Sequence, residues 1–250
     1  MSSPGIPEII RLFPFEKDAT LRVLRTNPAF VYLGVLLESL GQEPLITGLW
    51  AYISKVFPYE DDQLHVARRL REGFLKGSAL VGFPRGINSL AALKSAMEKV
   101  SPAVLEQLNV EKSVRQSKLS SRQESASKGK AFFTKVYKQH TDDILESMSE
   151  SSNGDLSRFV IESVYGDLLS EMSILDERET GLLEFLCCYA TGAAPQAKGH
   201  MYGCMNLGAK REEIIGVIRM THAIAEVVDV EIGRDEDEEE WEFLKKVRKG

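Results

Sequence analysis

The sequence predicts an all-α protein in which two related helical units follow one another along the chain. Apolar residues recur at spacings of three and four over most of the 250 residues, and glycine or proline stands at the ends of these runs. Two passages also repeat the same proline–glycine spacing. A hydrophobic content of 43% and a charged content of 27% are ordinary for a globular protein.

The first helical unit is predicted over residues 29–108, after an irregular lead-in with one short helix. One apolar face, which ends at Gly41, is formed by Phe30, Leu33, Leu36, Leu37 and Leu40. A second helix is expected to open at Glu43-Pro44, since proline in the first turn lacks only an N–H that would have no partner inside the helix.

A polar linker over residues 109–128 is predicted to separate the two units. Serine and charged residues dominate this stretch, and almost no large apolar residue follows Val114. Such a composition is typical of a linker or a solvated, fraying helix. Apolar periodicity resumes at Ala131-Phe132-Phe133, and the second unit is predicted over residues 129–230.

The last segment, residues 231–250, is predicted to be an acidic C-terminal tail. An acidic run over residues 235–240 precedes Trp241, Phe243 and a basic end. Acids first and bases last suit the dipole of a terminal helix. Two interpretations remain open: a solvated final helix with one packed face, or an element that binds a partner.

An internal repeat is the basis for predicting a tandem of two units, or pseudo-dimer. The run PLITGLWAYI from Pro44 and the run PQAKGHMYGC from Pro195 share proline and glycine at a spacing of four, which sets Leu49 opposite His200. A second match pairs Arg71-Glu72 with Arg211-Glu212. It requires about 11 extra residues in the first unit, a loop-sized insertion that folds tolerate.

Composition and end signals exclude several classes of protein. A formal net charge of −6 argues against a nucleic-acid binder. No stretch approaches the roughly 18 apolar residues of a membrane span, and the N-terminus has no signal-peptide pattern. Three cysteines without a disulfide framework indicate a reducing compartment. The C-terminal Arg-Lys-Gly is not an SKL-type peroxisomal address, so a cytoplasmic location is expected, with the mitochondrion left open.

His200 is the main candidate for chemistry. It shares a predicted helix face with Gln196 and Cys204, one turn away on either side. Its near-neutral pKa suits acid–base catalysis, although a core histidine bonded to a carbonyl fits the same pattern. His222 is a weaker candidate. No metal site and no cofactor are expected, because no acid or second histidine lies three or four residues from His200.

The run TGLLEFLCCYATGAAPQAKGHMYGCMNLGAKREEIIGVI resembles the carboxymuconolactone decarboxylase family, which is related to the alkylhydroperoxidase D proteins. The resemblance rests on a helix that ends near Gly192, on His200 with Gly208 eight residues later, and on Glu212-Glu213-Ile214. Upstream, GKAFFTKVYKQH and FVIESVYGDLLSEMSILDERE resemble the leading helices of the family. In the first unit, LVGFPRGINSLAAL resembles a later helix of the family.

The resemblance implies an alkylhydroperoxidase D-like bundle of antiparallel helices that assembles into homo-oligomers. The Cys-x-x-Cys pair of the thiol peroxidase branch falls on Ala193 and Gln196, which argues against that chemistry. The decarboxylase branch keeps the histidine, here His200. The two acidic residues that the decarboxylase branch carries correspond here to Gly181 and Gln196, neither of which is acidic. Glu184, one turn after Gly181, is the residue expected to replace them.

Three hypotheses about function follow from these residues. In the first, a cofactor-independent lyase or hydrolase acts on a small acidic or cyclic substrate: His200 moves the proton, Gln196 orients a carbonyl and Glu184 holds the imidazole tautomer. In the second, the protein is a catalytically silent scaffold whose tail, with Trp241, docks a partner. In the third, Cys204 serves as a single redox thiol.

Overall fold

A computed structural model describes residues 5–115, 121–232 and 239–248, and every regular element in these ranges is helical. The all-α prediction is therefore confirmed. In chain order the α-helices are α1 (Ile6–Ile10), α2 (Leu21–Leu24), α3 (Ala29–Ser39), α4 (Ile46–Val56), α5 (Glu60–Val81), α6 (Phe83–Val100), α7 (Pro102–Val110), α8 (Arg122–Tyr137), α9 (Thr141–Ser152), α10 (Asp155–Phe159), α11 (Glu177–Thr191), α12 (Ala194–Asn206), α13 (Arg211–Val227) and α14 (Lys245–Arg248). A π-helical segment, Val160–Leu169, follows α10, and a 3-10 helix, Glu239–Leu244, precedes α14.

Glycines set the ends of the helices that the sequence predicts most clearly. Gly41 follows α3 with a φ of 69°, and Gly192 follows α11 with a φ of 83°. This left-handed backbone conformation costs glycine little, and it ends a helix by turning the chain away. At its other end α11 begins with a capping box between Asp176 and Glu179. These local signals fix where the helix that carries Glu184 starts and stops.

The two predicted units share one hydrophobic core. The main cluster of buried apolar residues includes residues of α3 to α7 and residues of α11 to α13. Within it α3 packs on α11 and α13, while α11 packs on α3 and α5. A smaller cluster joins α8, α9 and the π-helical segment around Phe133 and Tyr165. The halves of the chain therefore depend on each other for burial of their apolar faces.

The structure does not show the insertion that the second sequence match requires in the first unit. Helix α5 begins at Glu60, which lies 16 residues after Pro44, and α13 begins at Arg211, 16 residues after Pro195. Arg71-Glu72 lies in the middle of α5, so its resemblance to Arg211-Glu212 is not a matching helix start. Both helix starts carry acids in their first turn instead, as the helix dipole favours.

The last seven residues of the predicted linker follow the second interpretation, a solvated helix. Helix α8 begins at Arg122, so residues 122–128 are helical although they are polar. A capping box explains this start, because the Ser121 hydroxyl accepts from the Glu124 N–H and the Glu124 carboxylate accepts from the Ser121 N–H. These two hydrogen bonds stabilise the start of α8, although its first turns carry few apolar residues.

The C-terminal segment packs one face into the core and exposes the other, which agrees with the first of the two interpretations drawn from the sequence: Glu239, Glu240, Glu242 and Lys246 are exposed. Trp241, Leu244 and Val247 are buried within the main cluster, and the Trp241 ring meets that of Tyr189 edge-on at 5.5 Å. The acidic run falls largely on residues 233–238, which lie outside the described residues. Because Trp241 is already covered by the chain's own side chains, it cannot serve as the exposed docking element that the scaffold hypothesis requires.

Two glycines lock α8 against the π-helical segment. A Cβ at Gly129 would lie 1.9 Å from the Ile161 carbonyl oxygen, and a Cβ at Gly166 would lie 2.2 Å from the Ser125 carbonyl oxygen. The backbones therefore approach more closely than any side chain would allow. Because the two elements are this close, the ring centroids of Phe133 and Tyr165 lie 4.7 Å apart. None of the described helices is both long and apolar enough to cross a membrane.

Candidate active site

Helices α11 and α12 place Glu184 and His200 side by side. The turn at Gly192 reverses the chain between them, and Pro195 lies in the first turn of α12, where it needs no hydrogen-bond partner. Gly203 then lets α12 approach α8, since a Cβ there would lie 2.6 Å from a methyl carbon of Val136. The sequence therefore brings three helices together around one imidazole.

The His200 imidazole lies between a carboxylate and a phenol. Its Nδ1 is 3.4 Å from Glu184 Oε2, and its Nε2 is 3.4 Å from the Tyr137 hydroxyl. Glu184 is fully buried, and neither of its oxygens accepts a well-aligned hydrogen bond from the described residues. A buried carboxylate without donors is costly, and the imidazole is the polar group that faces it. Among the described residues His200 Nδ1 has no well-aligned partner either, and of the two neutral tautomers only the one with its proton on Nδ1 could donate to Glu184.

Two tyrosine hydroxyls extend this arrangement. Tyr165 donates to the Tyr137 hydroxyl at 3.3 Å, and Tyr137 in turn is the donor that faces Nε2 of His200. Burial raises the pKa of both phenols, and the nearby Glu184 carboxylate raises both further. Both hydroxyls therefore stay protonated near neutral pH, which makes them hydrogen-bond donors toward an electron-rich group.

A cavity of about 750 Å³ opens onto this group. His200, Tyr137, Tyr165 and Gln196 line it, together with His140 and Asp143 from the stretch around the start of α9. The rest of its wall is mostly apolar and consists of Ala79, Leu80, Phe133, Ile144, Ser147, Met148, Leu156, Phe159, Val160 and Val164. A mostly apolar cavity of this size with a few convergent polar groups is the usual form of a small-molecule site.

The three residues predicted from the sequence take different positions relative to the cavity. Glu184 and His200 are in contact, with Glu184 behind the imidazole and not among the residues that line the cavity. Gln196 is exposed and lines the cavity one helical turn before His200. His222, the weaker candidate, lies elsewhere: it is exposed on α13, and its Nε2 is 2.8 Å from the Tyr189 hydroxyl.

Sequence reasoning missed Tyr137 and Tyr165 as members of the site. Both lie in stretches that resemble the leading helices of the family, and Tyr137 follows Phe133 by one turn, so the two share a face. That spacing was the available signal. Nothing in the sequence, however, shows that this face meets a histidine 63 residues further along the chain.

A buried lysine next to the site was also missed. The Lys76 ammonium donates to the Glu171 carbonyl oxygen at 2.7 Å and to the Thr180 hydroxyl at 2.8 Å, one helical turn before Glu184. Its Nζ is 3.7 Å from Glu72 Oε1. Burial lowers the pKa of Lys76 to about 8, although the Glu72 carboxylate opposes this shift. Lys76 thus ties α5 to the start of α11 and adds positive charge near Glu184.

The three thiols are unsuited to redox chemistry. Cys187, Cys188 and Cys204 are all buried, and burial raises the pKa of each, that of Cys188 to about 12. The Cys204 thiol also donates to the Met201 carbonyl oxygen at 3.1 Å. Since the thiolate is the reactive form, these environments argue against the single-thiol hypothesis.

The first unit lacks these polar groups at the corresponding positions. With the offset of 151 residues that relates Pro44 to Pro195, Leu33 corresponds to Glu184 and Leu49 to His200. Both leucines are buried in the main core. Where the second unit has an acid and an imidazole, the first has two aliphatic side chains that only pack.

Two relatives match the chain by sequence. "Peroxisomal protein 2" of Schizosaccharomyces pombe is 29% identical over 167 residues, which are 67% of this chain and 73% of that protein. "Peroxisomal protein 2" of Saccharomyces cerevisiae is 25% identical over 170 residues, which are 62% of this chain and 60% of that protein. No family model matches the chain, and no solved structure does.

These relatives correct the expected location. The cytoplasmic assignment rested only on the failure to find a recognised address at either end of the sequence. Both relatives carry a peroxisomal name, which contradicts that assignment. A short terminal motif is only one kind of address, so its absence from the sequence could not decide the compartment.

Proposed function

We propose that this protein binds a small carbonyl compound with an apolar body in the cavity beside His200, and that His200 moves a proton on it. The observation that carries the proposal is the imidazole itself: it lines an apolar cavity while a wholly buried carboxylate lies 3.4 Å behind it. A histidine that faces a buried carboxylate on one side and a ligand cavity on the other has the arrangement that acid–base catalysis uses.

Each polar group then has a distinct role. Glu184 orients Nδ1–H and stabilises the positive charge when Nε2 takes a proton from the ligand. On ligand binding the Tyr137 O–H, which faces Nε2 in the structure, would turn to the ligand's carbonyl oxygen and donate to it as negative charge develops there, which leaves the Nε2 lone pair free to take the proton. Gln196, further out in the cavity, would orient the carbonyl group. The proton returns from Nε2 to the product, so no cofactor is needed.

The resemblance to the carboxymuconolactone decarboxylase family supports a lyase or hydrolase on this alkylhydroperoxidase D-like bundle. In support, α11 ends at Thr191, next to Gly192, as the resemblance implies, and the Glu184 carboxylate lies 3.4 Å from the His200 imidazole. The apolar wall favours a cyclic or acyl substrate, with its polar end at His200, over a highly charged one.

Replacement of His200 tests this proposal. We expect His200→Ala to lower kcat/KM on an accepted lactone or acyl substrate by about 10²- to 10⁴-fold, the usual contribution of a general acid or base. His222→Ala is the matched control, because His222 is exposed and lies outside the cavity. Steady-state kinetics on a panel of lactones and carboxylates gives the readout. Unchanged turnover in His200→Ala would rule out this mechanism, and a wild type that turns over none of the panel would support the silent scaffold instead.

We also propose that the two units form a covalent pseudo-dimer, 29–108 and 129–230. Helices α3, α4 and α5 follow the same order and spacing as α11, α12 and α13, and the contacts of α3 with α13 mirror those of α11 with α5. An experimental structure in which the two triplets do not superpose by a rotation near 180° would contradict this. We also propose that the protein assembles into homo-oligomers, as the family resemblance implies.

By analogy with the relatives' names, we propose that the protein works in peroxisomes. Fluorescence microscopy of the full-length chain, tagged in turn at each end, should show overlap with a peroxisomal marker. Diffuse fluorescence with both tags would count against this location.

A further inference from the structure

A second cavity lies in the first unit, between α5, α6 and α7. Its volume is about 440 Å³, and it shares no lining residue with the cavity beside His200. Its apolar floor is formed by Leu75, Leu90, Leu93, Met97, Leu105 and Leu108. None of the described residues that line it is a histidine, so this cavity does not serve the proton transfer proposed above.

The rim of the second cavity carries more positive than negative charge. Glu72 accepts two hydrogen bonds from Arg115, at 2.6 and 2.9 Å. Glu111 is bound through Oε1 by the guanidinium of Arg68, whose Nε lies at 2.7 Å. Arg71 and Lys94 also line the cavity, and Lys94 Nζ lies 3.5 Å from Glu98 Oε1 on its own helix. Three guanidinium groups, those of Arg71 and Arg115 in the lining and that of Arg68 outside it, therefore share two carboxylates. This excess stands out in a chain with a formal net charge of −6.

Arg71 is the guanidinium with donors to spare. Its nearest carboxylate oxygen, Oε2 of Glu111, is 3.8 Å away, beyond hydrogen-bond distance. Among the described residues its one hydrogen bond goes to the Leu108 carbonyl oxygen at 3.3 Å. An arginine presents five donors in a planar fork that matches a carboxylate. Its side chain is 38% exposed, so a ligand can reach it.

From this juxtaposition we propose that the second cavity binds an amphipathic monocarboxylate, with its carboxylate on Arg71 and its unbranched apolar chain on the leucine floor. One unmatched guanidinium suits a single negative charge, whereas a phosphate dianion would need a second free cation. The volume lies in the range of small-molecule sites, and the floor supplies apolar contact along the chain.

Isothermal titration of the full-length protein with decanoate, below its micelle-forming concentration, tests the charge requirement. We expect decanoate to bind with one site in this cavity and decanol at least about 10-fold more weakly, because a charged hydrogen bond is lost. Arg71→Met should weaken decanoate binding by about 10-fold, while Arg158→Met, which changes an exposed arginine on α10, should leave it unchanged. Absent binding, or equal affinities for decanoate and decanol, would overturn the proposal.

A pair of tryptophan substitutions tests the location. Leu90→Trp should fill the second cavity and abolish decanoate binding, whereas Val164→Trp, which fills the cavity beside His200, should not. Both positions are half-buried, so both can take a larger side chain with little strain. The reverse pattern would assign decanoate to the His200 cavity and refute the inference. If Leu90→Trp loses its helical circular dichroism, the Arg71→Met result decides.

Discussion

Replacing Trp241 by alanine should lower the free energy of unfolding by about 3–5 kcal/mol, the usual cost of removing a fully buried tryptophan. The side chain is 1% exposed, packs on Tyr189 and Phe243, and belongs to the main core. Chemical denaturation followed by circular dichroism measures this change. Most small domains are stable by only about 5–15 kcal/mol, so the loss would be a large part of the total.

Glu242→Ala is the matched control for this prediction. Glu242 is the neighbouring residue, it is exposed, and its ion pair with Lys245 spans 3.9 Å, so its loss should change stability by less than about 0.5 kcal/mol. Deletion of residues 239–250 should destabilise the protein at least as much as Trp241→Ala. A deletion variant with wild-type stability would show that this segment is a dispensable tail after all.

Gly129→Ala should destabilise the protein by about 3 kcal/mol, at the upper end of the cost of overpacking. The added methyl group would stand 1.9 Å from the backbone oxygen of Ile161. A backbone atom cannot move aside as a flexible side chain can, so α8 and the π-helical segment would have to separate. Thermal and denaturant unfolding of the variant give the measurement.

Gly48→Ala provides the comparison. Gly48 lies in the first turn of α4, and an added Cβ would meet nothing within 4 Å. Alanine there should leave stability unchanged or raise it by up to about 1 kcal/mol, since alanine favours a helix more than glycine does. Similar stabilities for Gly129→Ala and Gly48→Ala would mean that the α8 contact is looser than the structure shows.

The Gly129 substitution also connects the fold to the site. Tyr137 lies at the end of α8, and Tyr165 lies on the π-helical segment against which Gly129 packs. Separation of the two elements would lengthen the hydrogen bond between the Tyr165 and Tyr137 hydroxyl oxygens, which are 3.3 Å apart. π-helical segments occur frequently at functional sites.

The sequence by itself determined the helical class and the ends of its clearest helices. Gly41 and Gly192 end α3 and α11 as predicted, because a left-handed turn and a 3.6-residue period are properties of a few neighbouring residues. It also identified His200 and Glu184 as candidates, through a resemblance that depends on spacing along a single helix pair.

Only the tertiary structure decided which side chains meet across the chain. Tyr137 reaches His200 over 63 residues, Lys76 reaches Thr180 over 104, and Trp241 folds back onto Tyr189. The polar composition of residues 122–128 does not reveal the mostly exposed helix that they form, and the acidic composition of the C-terminal segment does not reveal that Trp241 and Leu244 are buried. A local sequence pattern indicates which face of a helix is apolar. Which other helix covers that face depends on how all the helices pack together.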